Sequence, residues 1–171
     1  MRPFTHAVAV FLTIFTAVGS VKAERYWFSA GLGGGSAGFT VGTDYSSRFG
    51  PGFLSCRATA SWKNIEIGFG SKPRENVYEA GLLYGLATTD YQGSVASFSI
   101  GVGIVDGVKQ GKSIPTLWVK TYEEIRYSAV GLLLQSQLYT SGAVGLTLFG
   151  NINSENSFGG ALLSFRFGRY K

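Results

Sequence analysis

Histidine and cysteine are nearly missing from this 171-residue chain, which holds one of each, His6 and Cys56. A lone cysteine excludes an internal disulfide, so an exported domain of this size has to hold its fold by other means. Lys and Arg total 15 against 10 Asp and Glu, and they are spread along the chain. No basic cluster points to nucleic acid. Leucine-rich stretches with a helical period are scarce. After the first two dozen residues no apolar run reaches the ~18–20 residues that a helical membrane span requires.

The first 23 residues read as a secretory signal peptide. Arg2 supplies a positive start, Ala7 to Val18 is apolar, and Val21-Lys22-Ala23 is a small-x-small cleavage site before Glu24. Cleavage there removes His6, and with Arg2 and Lys22 gone the formal charge falls from +5 to +3. A mature chain without histidine excludes Ser-His-Asp and Cys-His nucleophile arrangements and histidine-based zinc sites. Cys56 follows Leu54-Ser55, which mimics a lipid-attachment site, but it lies far downstream of the signal in a strand-like segment. An inert packed thiol is the expected role.

What remains, residues 24–171, is rich in Gly, Ser, Thr and aromatic residues, and its dominant period is two. From Phe53 to Trp62, Leu54, Cys56, Ala58, Ala60 and Trp62 oppose Ser55, Arg57, Thr59 and Ser61. From Ile65 to Gly70, Ile65, Ile67 and Phe69 oppose Glu66, Gly68 and Gly70. From Tyr78 to Leu86, Tyr78, Ala80, Leu82, Tyr84 and Leu86 oppose Glu79, Gly81, Leu83 and Gly85. From Ala96 to Ile104, Phe98, Ile100 and Val102 oppose Ser97, Ser99 and Gly101. Four further strands are expected at about Tyr26–Ser36, Arg126–Tyr139, Ala143–Gly150 and Ser157–Gly168. Thr116 to Tyr122 either extends the sixth or stands alone in the preceding loop. The expected fold is all-β: an eight-stranded antiparallel up-and-down transmembrane β-barrel.

An even strand number puts both chain ends on one side. The connections at Lys63-Asn64, Thr88–Gly93 and Thr140–Gly142 are brief and would share that side. Residues 37–52 and 106–124 read as long loops at the other end, with Ser71–Asn76 and Asn151–Asn156 beside them. Short turns next to the termini and longer loops opposite are the arrangement of outer-membrane barrels. The distribution of size between the faces points the same way. Bulky apolar residues share one face, while Gly, Ser, Thr and a few charges share the other. Eight strands enclose a narrow interior, so the small face turns inward and the greasy face outward, which lipid tolerates. Arg57, Glu66, Glu79 and Arg166 then form a charge-balanced lumen network. Aromatic belts are expected at both boundaries, with Tyr26, Trp27, Trp62, Tyr91, Tyr139, Phe167 and Tyr170 near the short turns. Phe39, Phe53, Tyr78, Trp118, Tyr127, Phe149 and Phe158 would lie near the long loops.

The signal peptide, the eight alternating segments and the aromatic final strand Leu163-Ser164-Phe165-Arg166-Phe167-Gly168 resemble small outer-membrane barrels of the OmpA/OmpX type. The stretch from Leu148 to Gly160 is similar to the last hairpin of uncharacterised outer-membrane barrels of the Bacteroidetes. The resemblance covers nearly the whole mature chain as a pattern. It implies residence in the bacterial outer membrane, contact with its lipid, and assembly by the barrel-insertion machinery, which reads the final strand. The ending Tyr170-Lys171 departs from the usual terminal Phe.

Little catalytic chemistry is expected. Glu66 and Glu79 sit on neighbouring expected strands, where charge balance outweighs a paired-acid site. Gly31 to Gly38 lacks the Gly-Lys-Ser/Thr ending of a phosphate loop, and interior glycine in a crowded barrel accounts for it. Glu123-Glu124 reads as a solvated loop pair. The expected protein is therefore no enzyme and carries no cofactor or metal. It is a structural or surface-contact barrel without an open pore, meeting an unknown extracellular ligand through loops 37–52 and 106–124. The alternative is a soluble exported lipocalin-like barrel with an apolar ligand inside, large apolar residues facing inward and polar ones outward.

Overall fold

The computed structural model describes residues 26–63, 75–89, 93–114, 121–140 and 143–169. Within them lie eight strands: β1 (Tyr26–Gly35), β2 (Gly38–Phe49), β3 (Gly52–Lys63), β4 (Glu75–Thr89), β5 (Val95–Ile114), β6 (Thr121–Tyr139), β7 (Val144–Ile152) and β8 (Phe158–Arg169). They pair antiparallel in sequence order, and β1 returns to β8 to close the barrel. The closing seam runs from Tyr26↔Arg169 to Gly35↔Gly160, so both ends of the described chain lie on one rim. We call this the terminal rim and the opposite one the far rim. The expected signal peptide, residues 1–23, lies outside the described residues.

The strand count agrees with expectation, but its composition differs. Residues 37–52, expected as a long loop, contain β2 and two tight turns. Ser36-Ala37 joins β1 to β2 and Gly50-Pro51 joins β2 to β3. Gly50 has φ +58°, the left-handed value that the first residue of a two-residue hairpin turn requires, and the fixed φ of Pro51 suits the second. The expected strand Ile65–Gly70 falls outside the described residues. Because β2 crosses the wall, Lys63 ends β3 at the far rim, not at the terminal rim. Trp62 and Phe53 therefore exchange ends: Trp62 stacks on Phe39 at 6.4 Å near the far rim, and Phe53 meets Trp27 at 5.0 Å near the terminal rim.

Alternation dictates the two faces of the wall. Phe98 (58 % exposed), Leu146 and Phe165 point outward, and Leu82 on the same parity is half-buried. Ser55, Arg57, Thr59 and Ser61 on β3, and Gln135 and Gln137 on β6, are buried inside. Large apolar groups also turn inward. Val77, Val105, Tyr127, Phe149, Phe158 and Leu162 form a cluster toward the far rim. Trp27, Phe53 and Tyr139 are buried as well. These aromatics fill the barrel; they do not join an outer belt, as the sequence suggested for six of them. Tyr91, Trp118 and Tyr170 lie outside the described residues. Cys56 has outward parity yet is 1 % exposed, beside its cross-strand partners Tyr45 and Leu82.

The wall is uneven in height. β1, β2, β3, β7 and β8 have 9–12 residues, whereas β5 has 20 and β6 has 19. Pairing of β4 with β5 stops at Asn76↔Val108, and that of β6 with β7 at Leu132↔Ile152, while β5 and β6 stay paired to Ile114↔Thr121. Much of the expected loop 106–124 is thus a hairpin standing above the far rim. Thr121 and Tyr122 belong to β6, as do Glu123 and Glu124, which are strand residues. Where β1 meets β8 the backbones come close: a Cβ on Gly33 would lie 2.0 Å from the Ala161 carbonyl oxygen, so only glycine fits.

Candidate functional site: the barrel lumen

Asp44 on β2, Arg57 on β3, Glu79 on β4 and Arg166 on β8 are charged residues within the wall. All four have inward parity. Asp44, Arg57 and Glu79 are buried at 5 %, 2 % and 3 % exposure. Arg57 is the centre of the arrangement. Its Nε donates to Glu79 Oε1 at 2.7 Å, and its Nη2 lies 2.7 Å from the same oxygen. The rest of the guanidinium crosses the lumen. Nη1 donates to the Leu134 carbonyl at 2.8 Å and to Gln135 Oε1 at 3.3 Å, and Nη2 donates to the Gly150 carbonyl at 3.2 Å. Leu134 and Gly150 are cross-strand partners on β6 and β7. One planar five-donor group thereby ties β3 to the opposite wall, with the Phe149 ring 5.9 Å away. A buried pair is tolerable only when its remaining donors and acceptors are met. Glu79 Oε2 meets that condition by accepting from Asn151 Nδ2 at 2.8 Å.

Asp44 is the cross-strand neighbour of Arg57 but belongs to a second cluster. It accepts from Ser29, from Ser46 at 3.3 Å and from Gln137 Nε2 at 2.8 Å. Ser46 continues to Ser55 at 2.6 Å, and Ser97 donates to Gln137 Oε1 at 3.4 Å. Arg166 stands apart from the Arg57–Glu79 pair, with its guanidinium 4.8 Å over the Tyr139 ring. Of the sequence-predicted network, the structure brings Arg57 and Glu79 together and places Arg166 against Tyr139. Glu66 lies outside the described residues. Sequence reading missed Asp44, because the segment holding it passed for a loop. The alternation Phe39, Val41, Thr43, Tyr45 was available, and it puts Thr40, Gly42, Asp44 and Ser46 on the other face.

The space between the two clusters, lined by Ser29, Asp44, Arg57, Gln135, Thr147 and Phe149 among others, is about 10 Å³, room for about one water. A larger recess of about 170 Å³ opens at the terminal rim beside Trp27, Arg48, Phe53 and Thr89. Among the described residues no group of three or more His, Cys, Asp and Glu gathers to hold a metal ion. At the far rim, Lys109 pairs with Glu155 at 3.1 Å and lies 5.4 Å from the Tyr127 ring centre.

Closed, antiparallel, eight-stranded and up-and-down, with a lumen packed by its own side chains, the protein is a small β-barrel. No protein-family model and no curated protein matches the chain.

Proposed function

We propose that this protein is an integral β-barrel of the bacterial outer membrane, of the OmpA/OmpX architectural type, with a structural or surface-contact role, no open pore and no catalytic activity. The observation that carries this reading is an uncharged outer belt of uniform height. It covers Leu54–Trp62 on β3, Tyr78–Leu86 on β4, Ala96–Ile104 on β5, Val130–Leu138 on β6 and Val144–Ile152 on β7. Each is a nine-residue stretch, as β7 is in full. Nine residues rise about 30 Å along a strand, and a tilt of ~35–45° reduces that to about 21–25 Å, close to the ~25 Å apolar band of outer-membrane barrels. Within the belt Val102 is 62 % and Val130 73 % exposed. Water would make so large and continuous an apolar surface unfavourable. Just above it on the outward parity, Asp106 and Ser128 are cross-strand partners, and Asp106 faces Tyr78 on β4. That row of polar groups suits an interface with water.

A soluble ligand carrier needs the opposite distribution, with an apolar cavity inside and polar residues outside. The space of about 10 Å³ between the two lumen clusters has no room for a lipid-sized ligand. Lipid is the principal partner on this reading, and the insertion machinery that recognises a final aromatic strand is the second. Any outside ligand would be met by the β5–β6 hairpin above the far rim, since residues 37–52 form a wall strand. Fractionation tests the proposal. The protein should stay in the membrane pellet through carbonate washing, dissolve in detergent and migrate faster on a gel before boiling than after. Recovery in the soluble fraction without detergent would overturn it.

A further inference from the structure

An unbroken chain of hydrogen bonds leads from the lumen to the β7–β8 loop at the far rim. Asn151 Nδ2 donates to Glu79 Oε2 at 2.8 Å, and Asn151 Oδ1 accepts from Asn153 Nδ2 at 2.8 Å. Asn153 Oδ1 then accepts the backbone N–H groups of Glu155, at 2.9 Å, and Asn156, at 2.8 Å, which folds the loop. The loop docks in turn on the hairpin: Asn156 Nδ2 donates to the Tyr127 hydroxyl at 3.1 Å, and Glu155 accepts from Lys109. Asn151 is 1 % exposed and sits against Gly131, where a Cβ would come within 2.2 Å of Asn151 Oδ1. The absent side chain of Gly131 leaves the space that Asn151 occupies.

The chain has a direction. A side-chain amide presents a donor at one end and an acceptor at the other, whereas an ionised carboxylate only accepts. Glu79 meets Arg57 as a carboxylate: the Nε and Nη2 of Arg57 take Oε1 and leave Oε2 as the oxygen facing Asn151. Asn151 must therefore turn its NH₂ to Glu79 and its oxygen to Asn153. Asn153 must in turn point its own oxygen at the loop N–H groups. We infer that the Glu79 carboxylate sets the amide orientations of Asn151 and Asn153 and thereby the conformation of the 153–157 loop, making Glu79 a positioning residue for the far rim. The inference needs only the closed barrel and is independent of whether lipid or water surrounds it.

Glu79→Gln separates this polarity from shape. The oxygen of the new amide must accept from Arg57, so its NH₂ faces Asn151 and drives both asparagines to reverse, which takes the acceptor away from the N–H groups of Glu155 and Asn156. A nitroxide attached through Ser154→Cys in a Cys56→Ala background of the full folded chain reads the loop by electron paramagnetic resonance. The parent spectrum should be that of an immobilised label, and Glu79→Gln should narrow it. Adding Asn151→Asp to Glu79→Gln should restore the parent spectrum, because a carboxylate at position 151 accepts both from the amide introduced at position 79 and from Asn153. Asp44→Asn, equally deep but in the other cluster, should change nothing. An unaltered spectrum in folded Glu79→Gln would overturn the inference, as would equal narrowing in Asp44→Asn or failure of the Asn151→Asp rescue. Should Glu79→Gln not fold, Asn151→Leu cuts the next link; narrowing then supports the relay, and an immobilised label overturns it.

Discussion

The inner and outer faces of this barrel are made from the same strands, yet they carry opposite sets of residues. Along β3 the outward residues are Leu54, Ala58, Ala60 and Trp62, and the inward ones are Ser55, Arg57, Thr59 and Ser61. On the outward parity Thr43 and Ser136 carry hydroxyls among apolar neighbours. Inward, many polar groups are matched: Thr40 with Ser61 at 2.8 Å, Ser164 with Thr147 at 2.9 Å, Arg57 with four acceptors; Ser99 Oγ and Gln135 Nε2 are buried there without a hydrogen bond. The difference teaches that polarity here is placed by whether a partner can be supplied. The lumen supplies partners across a distance that one arginine spans. The outer face carries no charge within the belt, as the proposed lipid surroundings, which supply no partner, require.

The comparison breaks most severely where a partner is removed from inside. Arg57→Met would leave the Glu79 carboxylate with Asn151 alone, and about 3–5 kcal/mol of stability should be lost. Urea titration of the folded barrel in detergent measures this, and the double variant Arg57→Met/Glu79→Met should recover most of it. An Arg57→Met barrel as stable as the parent would mean that water already solvates the lumen. Somewhat less is expected from placing charge where there is none. Val102→Arg at mid-belt should destabilise the barrel in lipid by about 2–4 kcal/mol. In a soluble protein that exposed position would accept arginine with little change, so the same titration in vesicles sharpens the contrast. The smallest effect belongs to the rim. Lys109 and Glu155 are partly solvated, and Lys109→Ala should change stability by about 0–1 kcal/mol, less in high salt.

The faces of the wall were legible in the sequence because period two is a strong signal wherever bulky and tiny residues alternate. Phe98 against Ser97 and Ser99, or Leu146 against Gly145 and Thr147, leaves little ambiguity. β2 was illegible for compositional reasons: Gly38, Gly42, Asp44, Ser46 and Ser47 belong to turns more often than to strands. Its outward series Phe39, Val41, Thr43 and Tyr45 is the part that carries the wall pattern. With β2 went Asp44, and with it half of the lumen network. The apolar inner layer was missed because residue type and parity disagreed. Phe149 and Phe158 are aromatic, which suggested the outer boundary, but Phe149 shares its parity with Thr147 and Asn151 and therefore points inside. The height of the β5–β6 hairpin was hidden because strand above the rim has two wet faces, so Lys109, Gln110 and Glu124 read as loop.

A nitroxide scan along β5, one cysteine at a time from Ala96 to Ile104 in reconstituted vesicles, tests the two-solvent account most directly. Collision with lipid-soluble oxygen should peak at residues 96, 98, 100, 102 and 104 and drop at those between, while a water-soluble nickel relaxant reaches none of the even positions. Efficient collision of the nickel reagent with labels at 98, 100 and 102 would contradict the account.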